Sequence, residues 1–305
     1  MIHKGKKFVC IGAFHKDYIM HLKANYYKNR TNPITQEIDL GGVAYRIASK
    51  LSFLNTNTEL ISLNCDDEYK IELKKKNIMF TPITKKKFKR NYTAILNNKG
   101  EMILGLANMD NYEKNFPINV IRNKKNENII MDLNLSHKTI KSLINKFYIK
   151  NNICIIGTSA HKVYKIKNSL KKIHILILNK QESFNLTGKN KILDSLKSLI
   201  EQNKKIKIII TNGKNTMYSY NNNLIYSCKP IRVNIKNENG AGDIMSSLIN
   251  YYLDKECDFN ELIRKSMIAG ALQVSGYKTN AKKTYLKYIE KLSKRIKIKV
   301  INYNA

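Results

Sequence analysis

The stretch Asn239-Gly240-Ala241-Gly242-Asp243 combines residue types that suit the transfer of a charged group. Its glycines precede a helical pattern running from Ile244 to Leu253, and its carboxylate falls in the first turn. Backbone N–H groups at a helix start lack internal partners and carry the positive end of the helix dipole. They suit a phosphate or a developing oxyanion. Glycine lets the backbone approach such a ligand closely. An aspartate would repel a bound phosphate, so its chemistry here is that of a base. It would take a proton from a hydroxyl while the amides hold the group being transferred, the pairing that phosphoryl transfer to an alcohol needs. A plain helix cap has a similar composition, so the motif gains meaning from the elements that position it.

Those elements alternate. Phe8-Val9-Cys10-Ile11-Gly12 reads as a short apolar strand, Gly41 to Leu54 as a helix behind a glycine pair, Glu59 to Leu63 as a strand and Asp67 to Lys76 as a helix. Tyr92–Leu96 and Met102–Ala107 flank Asn97-Asn98-Lys99-Gly100, a hairpin signature. Ile19 to Leu40 has no helical period, and together with the hairpin it is expected to form a small antiparallel sheet apart from the main one. Strands then recur at Ile129–Asp132, Ile153–Ile156, Ile175–Leu178 and Ile206–Thr211, with helices beginning near Ser136, His161, Gln181 and Asn190. Apolar strands between helices predict a mostly parallel sheet covered on both faces. Ligands of such sheets sit beyond the carboxyl ends of the strands. Those ends are polar or small here: Asp132-Leu133-Asn134, Gly157-Thr158-Ser159, Asn179-Lys180-Gln181-Glu182 and Thr211-Asn212-Gly213.

Composition narrows the classes. The 305 residues allow one large α/β unit, and apolar content is ordinary for a globular chain. The formal net charge is +32, but the lysines are spread along the whole chain and interleave with Asn and Ile. That is the signature of A/T-rich codon usage, and no specific nucleic-acid role is read from it. The five cysteines include no CxxC pair and sit partly in apolar strands, which fits reduced thiols in a cytoplasmic protein. The six histidines, His137 and His161 among them, do not group with carboxylates at metal-ligand spacing. No apolar run reaches the ~18–20 residues of a membrane helix, and the first strand begins too early for a signal peptide.

The ordered set of motifs resembles the PfkB/ribokinase family of sugar and nucleoside kinases. Gly41-Gly42 resembles its N-terminal signature, Asn239 to Asp243 its C-terminal signature, and Asn179-x-x-Glu182 its Asn-x-x-Glu element. Within the family, Gly41 to Ala48, Gly100-Glu101-Met102 with Ala107-Asn108-Met109, Asp132 to Leu135, Thr158 to Lys162 and Leu186-Thr187-Gly188 look most similar to pseudouridine kinases.

The resemblance implies a ribokinase-like three-layer α/β/α sandwich with a small β lid, one kinase domain over 1–305 with lid segments near 18–40 and 90–107. It implies ATP and Mg²⁺, with a monovalent cation such as K⁺ as a further candidate, and phosphorylation of a ribose 5′-hydroxyl. By the same resemblance Asp243 is the base, and Gly240, Ala241 and Gly242 supply the amides. Asp17, Gly41, Gly42, Arg46, Asn134 and Lys162 bind the acceptor. Asn179, Thr211, Gly213 and Asn239 lie at ATP, and Glu182 orders the water shell of the metal. Partners implied are a sugar or nucleoside and, through the lid, a second copy. Three places depart from the family pattern: Arg46 where an asparagine is usual, Asn108 where aspartate is usual, and Asn237-Glu238-Asn239 in place of a threonine-rich lead-in. The alternatives are another acceptor, such as ribose or adenosine, or a relative that binds nucleosides without catalysis.

Overall fold

The computed structural model describes residues 5–236 and 238–303; Asn237, in the lead-in to the glycine turn, lies outside the described residues. The first apolar run forms β1 (Phe8–Ile11), buried throughout. Successive side chains of a strand point to opposite faces. Phe8 and Cys10 accordingly join one core cluster, while Val9 and Ile11 join the other. Both faces of the sheet are covered, as an uninterrupted apolar strand requires.

The first half continues with β2 (His15–Leu22), β3 (Ile34–Gly41), α1 (Val43–Phe53), β4 (Thr58–Asn64), α2 (Asp67–Lys75), β5 (Ile78–Lys87), β6 (Asn91–Leu96), β7 (Met102–Asn108) and α3 (Asp110–Lys114). Then come β8 (Asn128–Asp132), α4 (His137–Phe147), β9 (Asn152–Ile156), a 3-10 helix (Val163–Lys172), β10 (Ile175–Asn179), α5 (Lys180–Thr187), α6 (Ile192–Gln202) and β11 (Lys207–Thr211). The chain closes with β12 (Met217–Asn221), β13 (Leu224–Cys228), α7 (Ala241–Asp254), α8 (Phe259–Val274), α9 (Lys282–Ser293) and β14 (Ile298–Asn302).

The main sheet has the order β14-β13-β12-β11-β10-β9-β8-β1-β4-β5. Neighbours from β11 to β5 run parallel, and β12, β13 and β14 extend the β11 side antiparallel. Strand order reverses between β1 and β8, the place where sheets of this kind open a crevice.

One expectation is corrected. The second sheet, β3-β2-β6-β7, is mixed rather than antiparallel, because β6 runs parallel to β2. The β2–β3 and β6–β7 pairs come from separate excursions of the chain, so a shared direction is open to the inner strands. The helix expected after His161 is a 3-10 helix. Its buried Val163, Ile166 and Ser169 recur every three residues, which matches the three-residue turn of that helix.

Candidate active site

Asp132 ends β8 with only 1% of its surface exposed. Its Oδ2 accepts from the amides of Ala13 (2.7 Å) and Ala44 (3.3 Å), and its Oδ1 accepts from the amide of Asn134 (2.9 Å). One carboxylate therefore fixes the exit from β1, the start of α1 and the loop after β8. Gly42 precedes α1 at φ 101°. That conformation favours glycine, and a Cβ there would overlap the Ala13 carbonyl.

Asp17 sits on β2 at the sheet face that looks into the molecule, 3% exposed and against Gly41. Its Oδ1 lies 3.2 Å from His15 Nε2, and its Oδ2 lies 2.5 Å from Arg46 Nη2. The other arm of the guanidinium donates from Nη1 to Asn239 Oδ1 at 2.7 Å and stands 3.8 Å from Asp243 Oδ2. Helix α1 packs on α7, which brings Arg46 to this place. Burial pushes the Asp243 carboxyl up to about 7; Arg46 opposes the rise, whereas Asp132, Asp17 and Glu182 add to it. A carboxyl poised there can accept a proton near neutrality.

The turn ahead of Asp243 has the open geometry its sequence suggests. Gly240 caps α7 at φ 77° with no side-chain cap, and a Cβ there would meet Arg46 Nη1 at 2.8 Å. Nothing would obstruct a Cβ on Gly242, whose backbone faces open space. Ala241 N, expected to face the transferred group, donates instead to Glu238 O at 3.4 Å, and Ile244 N donates to Gly240 O at 3.0 Å. Among the described residues, the amides of Gly242 and Asp243 between them donate to no carbonyl. Ala241 and Gly242 line a cleft of about 1100 Å³ whose other walls include Thr211, Gly213, Lys214, Arg232, Met245 and Met267. The turn thus separates this cleft from the Asp17–Arg46–Asp243 cluster, and Asp243 lies on the cluster side.

The remaining expected residues fall at four places. Lys162 Nζ donates to Asn134 Oδ1 at 2.7 Å, and burial lowers the lysine's affinity for its proton. Both lie beside Asp132 at the strand ends. Thr211 and Gly213 line the cleft. Asn179 and Glu182 form a capping box on α5: Asn179 Oδ1 accepts from Glu182 N at 2.9 Å, and Glu182 Oε2 accepts from Asn179 N at 2.7 Å. This is the plain structural role for the pair. Glu182 is also 4% exposed, and burial raises its pKa. Asn239, expected at the nucleotide, directs its side-chain oxygen to Arg46 instead.

Among the described residues, no three His, Cys, Asp or Glu side chains group to hold a metal directly. An ion bound mostly by water and phosphate oxygens, the usual habit of Mg²⁺, needs no such cluster. No described helix is long and apolar enough to cross a membrane.

Sequence reasoning missed the segment Lys229–Ile235, which forms a wall of the cleft, and the apolar contributions of Met245, Met267 and Val274. Ile231, Val233 and Ile235 alternate with Arg232 and Asn234 as in a strand, yet the segment forms none, so its period does not mark it as a cleft wall. The methionine and valine positions read as ordinary helix core. His15 was also missed; its place two residues before Asp17 on one strand puts both on the same face.

A family model described as pfkB family carbohydrate kinase matches residues 6–284. A comparison with curated protein sequences finds no match. Among solved structures, the chain is similar to a carbohydrate kinase from Agrobacterium tumefaciens, with a TM-score of 0.81 and 22% identity over 97% of this chain and 100% of that one. A ribokinase from Cryptococcus neoformans var. grubii serotype A in complex with ADP gives a TM-score of 0.74 and 15% identity, covering 94% of this chain and 99% of that one. Phosphofructokinase-2 from Escherichia coli in complex with fructose-6-phosphate gives 0.74 and 14%, again covering 94% and 99%. At these identities the structures establish a ribokinase-like α/β fold, and the family match covers most of the sequence. The chain belongs to the pfkB family of carbohydrate kinases and is a phosphotransferase with an alcohol group as acceptor.

Proposed function

We propose that the chain transfers the γ-phosphoryl group of ATP to the 5′-hydroxyl of a ribose-containing acceptor, with pseudouridine as the first candidate and ribose and adenosine as its competitors. The observation that carries this reading is the placement of Asp243: it stands in the first turn of α7, with the acceptor-side cluster on its own side of the glycine turn and the cleft on the other. ATP would lie in the cleft beside Thr211 and Gly213, its γ-phosphate toward the amide of Gly242. The acceptor hydroxyls would lie between Asp17, Asn134 and Lys162. As the acceptor oxygen bonds to the γ-phosphorus, the bond to the β–γ bridging oxygen breaks, ADP leaves and the alcohol proton passes to Asp243. The amides and charged side chains supply mostly positioning and charge stabilisation, which dominate in a loose transition state. Mg²⁺, when bound, neutralises charge on the phosphates. Glu182 and Asn179 would hold its water shell.

Pseudouridine specificity rests on the motif resemblances named above, and a panel of acceptors tests it. With ADP release and product mass as readouts, kcat/KM for pseudouridine should exceed those for ribose, adenosine and fructose-6-phosphate. A higher value for any of the others reassigns the acceptor and leaves the reaction type standing.

The metal role has its own test. Glu182→Gln keeps an oxygen for the capping box and removes the charge. It should raise the Mg²⁺ concentration for half-maximal rate severalfold, with a melting temperature no lower than that of the wild type. An unchanged Mg²⁺ requirement would leave Glu182 as a helix cap alone. The proposal extends to one kinase domain in the cytoplasm, with residues 18–40 and 90–107 as lid. A homodimer through the lid is supported by Ile38, Leu104 and Leu106, which are exposed on the sheet face opposite Asp17.

A further inference from the structure

We propose that Arg46 is a positioning residue for this reaction: it ties the Asp17 carboxylate to the glycine turn and serves as the built-in counter-ion of Asp243. The inference rests on the reading of Asp243 as base. The guanidinium uses two separate arms, Nη2 on Asp17 at 2.5 Å and Nη1 on Asn239 at 2.7 Å, with Asp243 Oδ2 3.8 Å from Nη1. A rigid planar fork can hold two such partners at a fixed spacing, whereas a lysine ammonium acts as one point. The turn is shaped to admit it, since a Cβ on Gly240 would come within 2.8 Å of Nη1. That contact has no part in holding a phosphate, so the lack of a side chain at Gly240 serves the arginine as well.

The charges facing Asp243 explain why a cation is needed. Asp17 comes from β2, Asp132 from the end of β8 and Glu182 from α5, and all three disfavour a further negative charge. Arg46, from α1, is the cation acting against them. His15 lies against Asp17 rather than Asp243, and Asp132 is the carboxylate that acts most strongly on Lys162. Without Arg46, Asp243 would face carboxylates in a largely buried place. An opposite charge at such a distance lowers a carboxyl pKa by about 1–3 units. Its removal should therefore raise the Asp243 midpoint from about 7 by at least about one unit. At a pH below that midpoint the base is protonated and cannot accept the alcohol proton, so the acid limb of the rate profile should move upward with it.

The test uses the full chain without substrate. The Asp243 carboxyl is titrated by carbon NMR in the wild type, Arg46→Asn and Arg46→Lys, with Asp243→Asn assigning the signal. Arg46→Asn should raise the midpoint by about one unit or more, and Arg46→Lys by less, because the charge is kept and the fork is lost. The kcat/KM profiles with ATP and the best acceptor should shift in the same order. Should Arg46→Asn fail to fold, the smaller upward shift in Arg46→Lys carries the test. An unmoved midpoint in the folded variants overturns the counter-ion role, even where phosphoryl transfer persists. A shifted midpoint in a protein that phosphorylates no acceptor upholds the electrostatics and overturns the proposed reaction instead.

Discussion

Replacing Asp243 by Asn should lower kcat by about 10²–10⁴-fold, the usual worth of a positioned base, while making the protein more stable at pH 8. Both effects come from one environment. The carboxyl is raised to about 7 chiefly by burial, so the folded state prefers it neutral, whereas an unfolded chain ionises it near 3.8. Well below 3.8 the group is protonated in both states and contributes nothing. As pH rises from about 4 toward 7, the unfolded chain gives up its proton first, and stability falls. Above 7 the full cost of holding a buried carboxylate is present, on the order of a few kcal/mol. Asparagine has nearly the same shape and no such cost. The melting temperature of Asp243→Asn should exceed that of the wild type at pH 8 and match it at a pH well below 3.8. Wild-type activity should rise with pH through about 7. Turnover close to wild type in the variant would remove Asp243 from the reaction, and equal melting temperatures at pH 8 would remove the burial argument.

The second large effect belongs to Asp132, which touches neither Arg46 nor Asp243. Asp132→Ala leaves the amides of Ala13, Ala44 and Asn134 without their acceptor at a buried strand junction. Orphaning a buried donor costs about 1–3 kcal/mol, and the three act at one place, so the loss should be on the order of 3–5 kcal/mol. Urea denaturation reads it as a lower midpoint with little change in slope. Activity should fall as well, because the same three amides set the exit of β1 toward Asp17, the start of the Arg46 helix and the Asn134 loop. Asp132→Asn keeps one carbonyl acceptor and should lose less. A midpoint for Asp132→Ala equal to that of the wild type would contradict the assigned role.

The sequence made the parallel core legible because its strands are short and apolar and stand between helical segments. Phe8–Ile11 and Ile175–Asn179 admit few other readings once helices flank them. It was less informative at the edges of the main sheet. β5 carries Pro82 and three lysines at its end, and β12 to β14 mix tyrosine, serine and asparagine with apolar residues, so neither period stands out. The glycine turn was readable because φ 77° at Gly240 needs a glycine. The partners of Arg46 were not readable. Asp17, Asn239 and Asp243 lie 29, 193 and 197 residues away along the chain, and they meet only through the packing of α1 on α7 and of the β2–β3 pair beside α1. Asn239 was expected at the nucleotide from the family resemblance; its side-chain oxygen accepts from Arg46, while Ala241 and Gly242 line the cleft.

Phosphorus NMR of the protein with ATP, Mg²⁺ and a mixture of ribose-type alcohols, run side by side for the wild type and Asp243→Asn, probes the chemistry most directly. In the wild type, ADP should grow in step with a new phosphomonoester signal, and the variant should form both at least about a hundredfold more slowly. ADP accompanied only by inorganic phosphate, or equal monoester formation by the two proteins, would contradict transfer to an alcohol with Asp243 as its base.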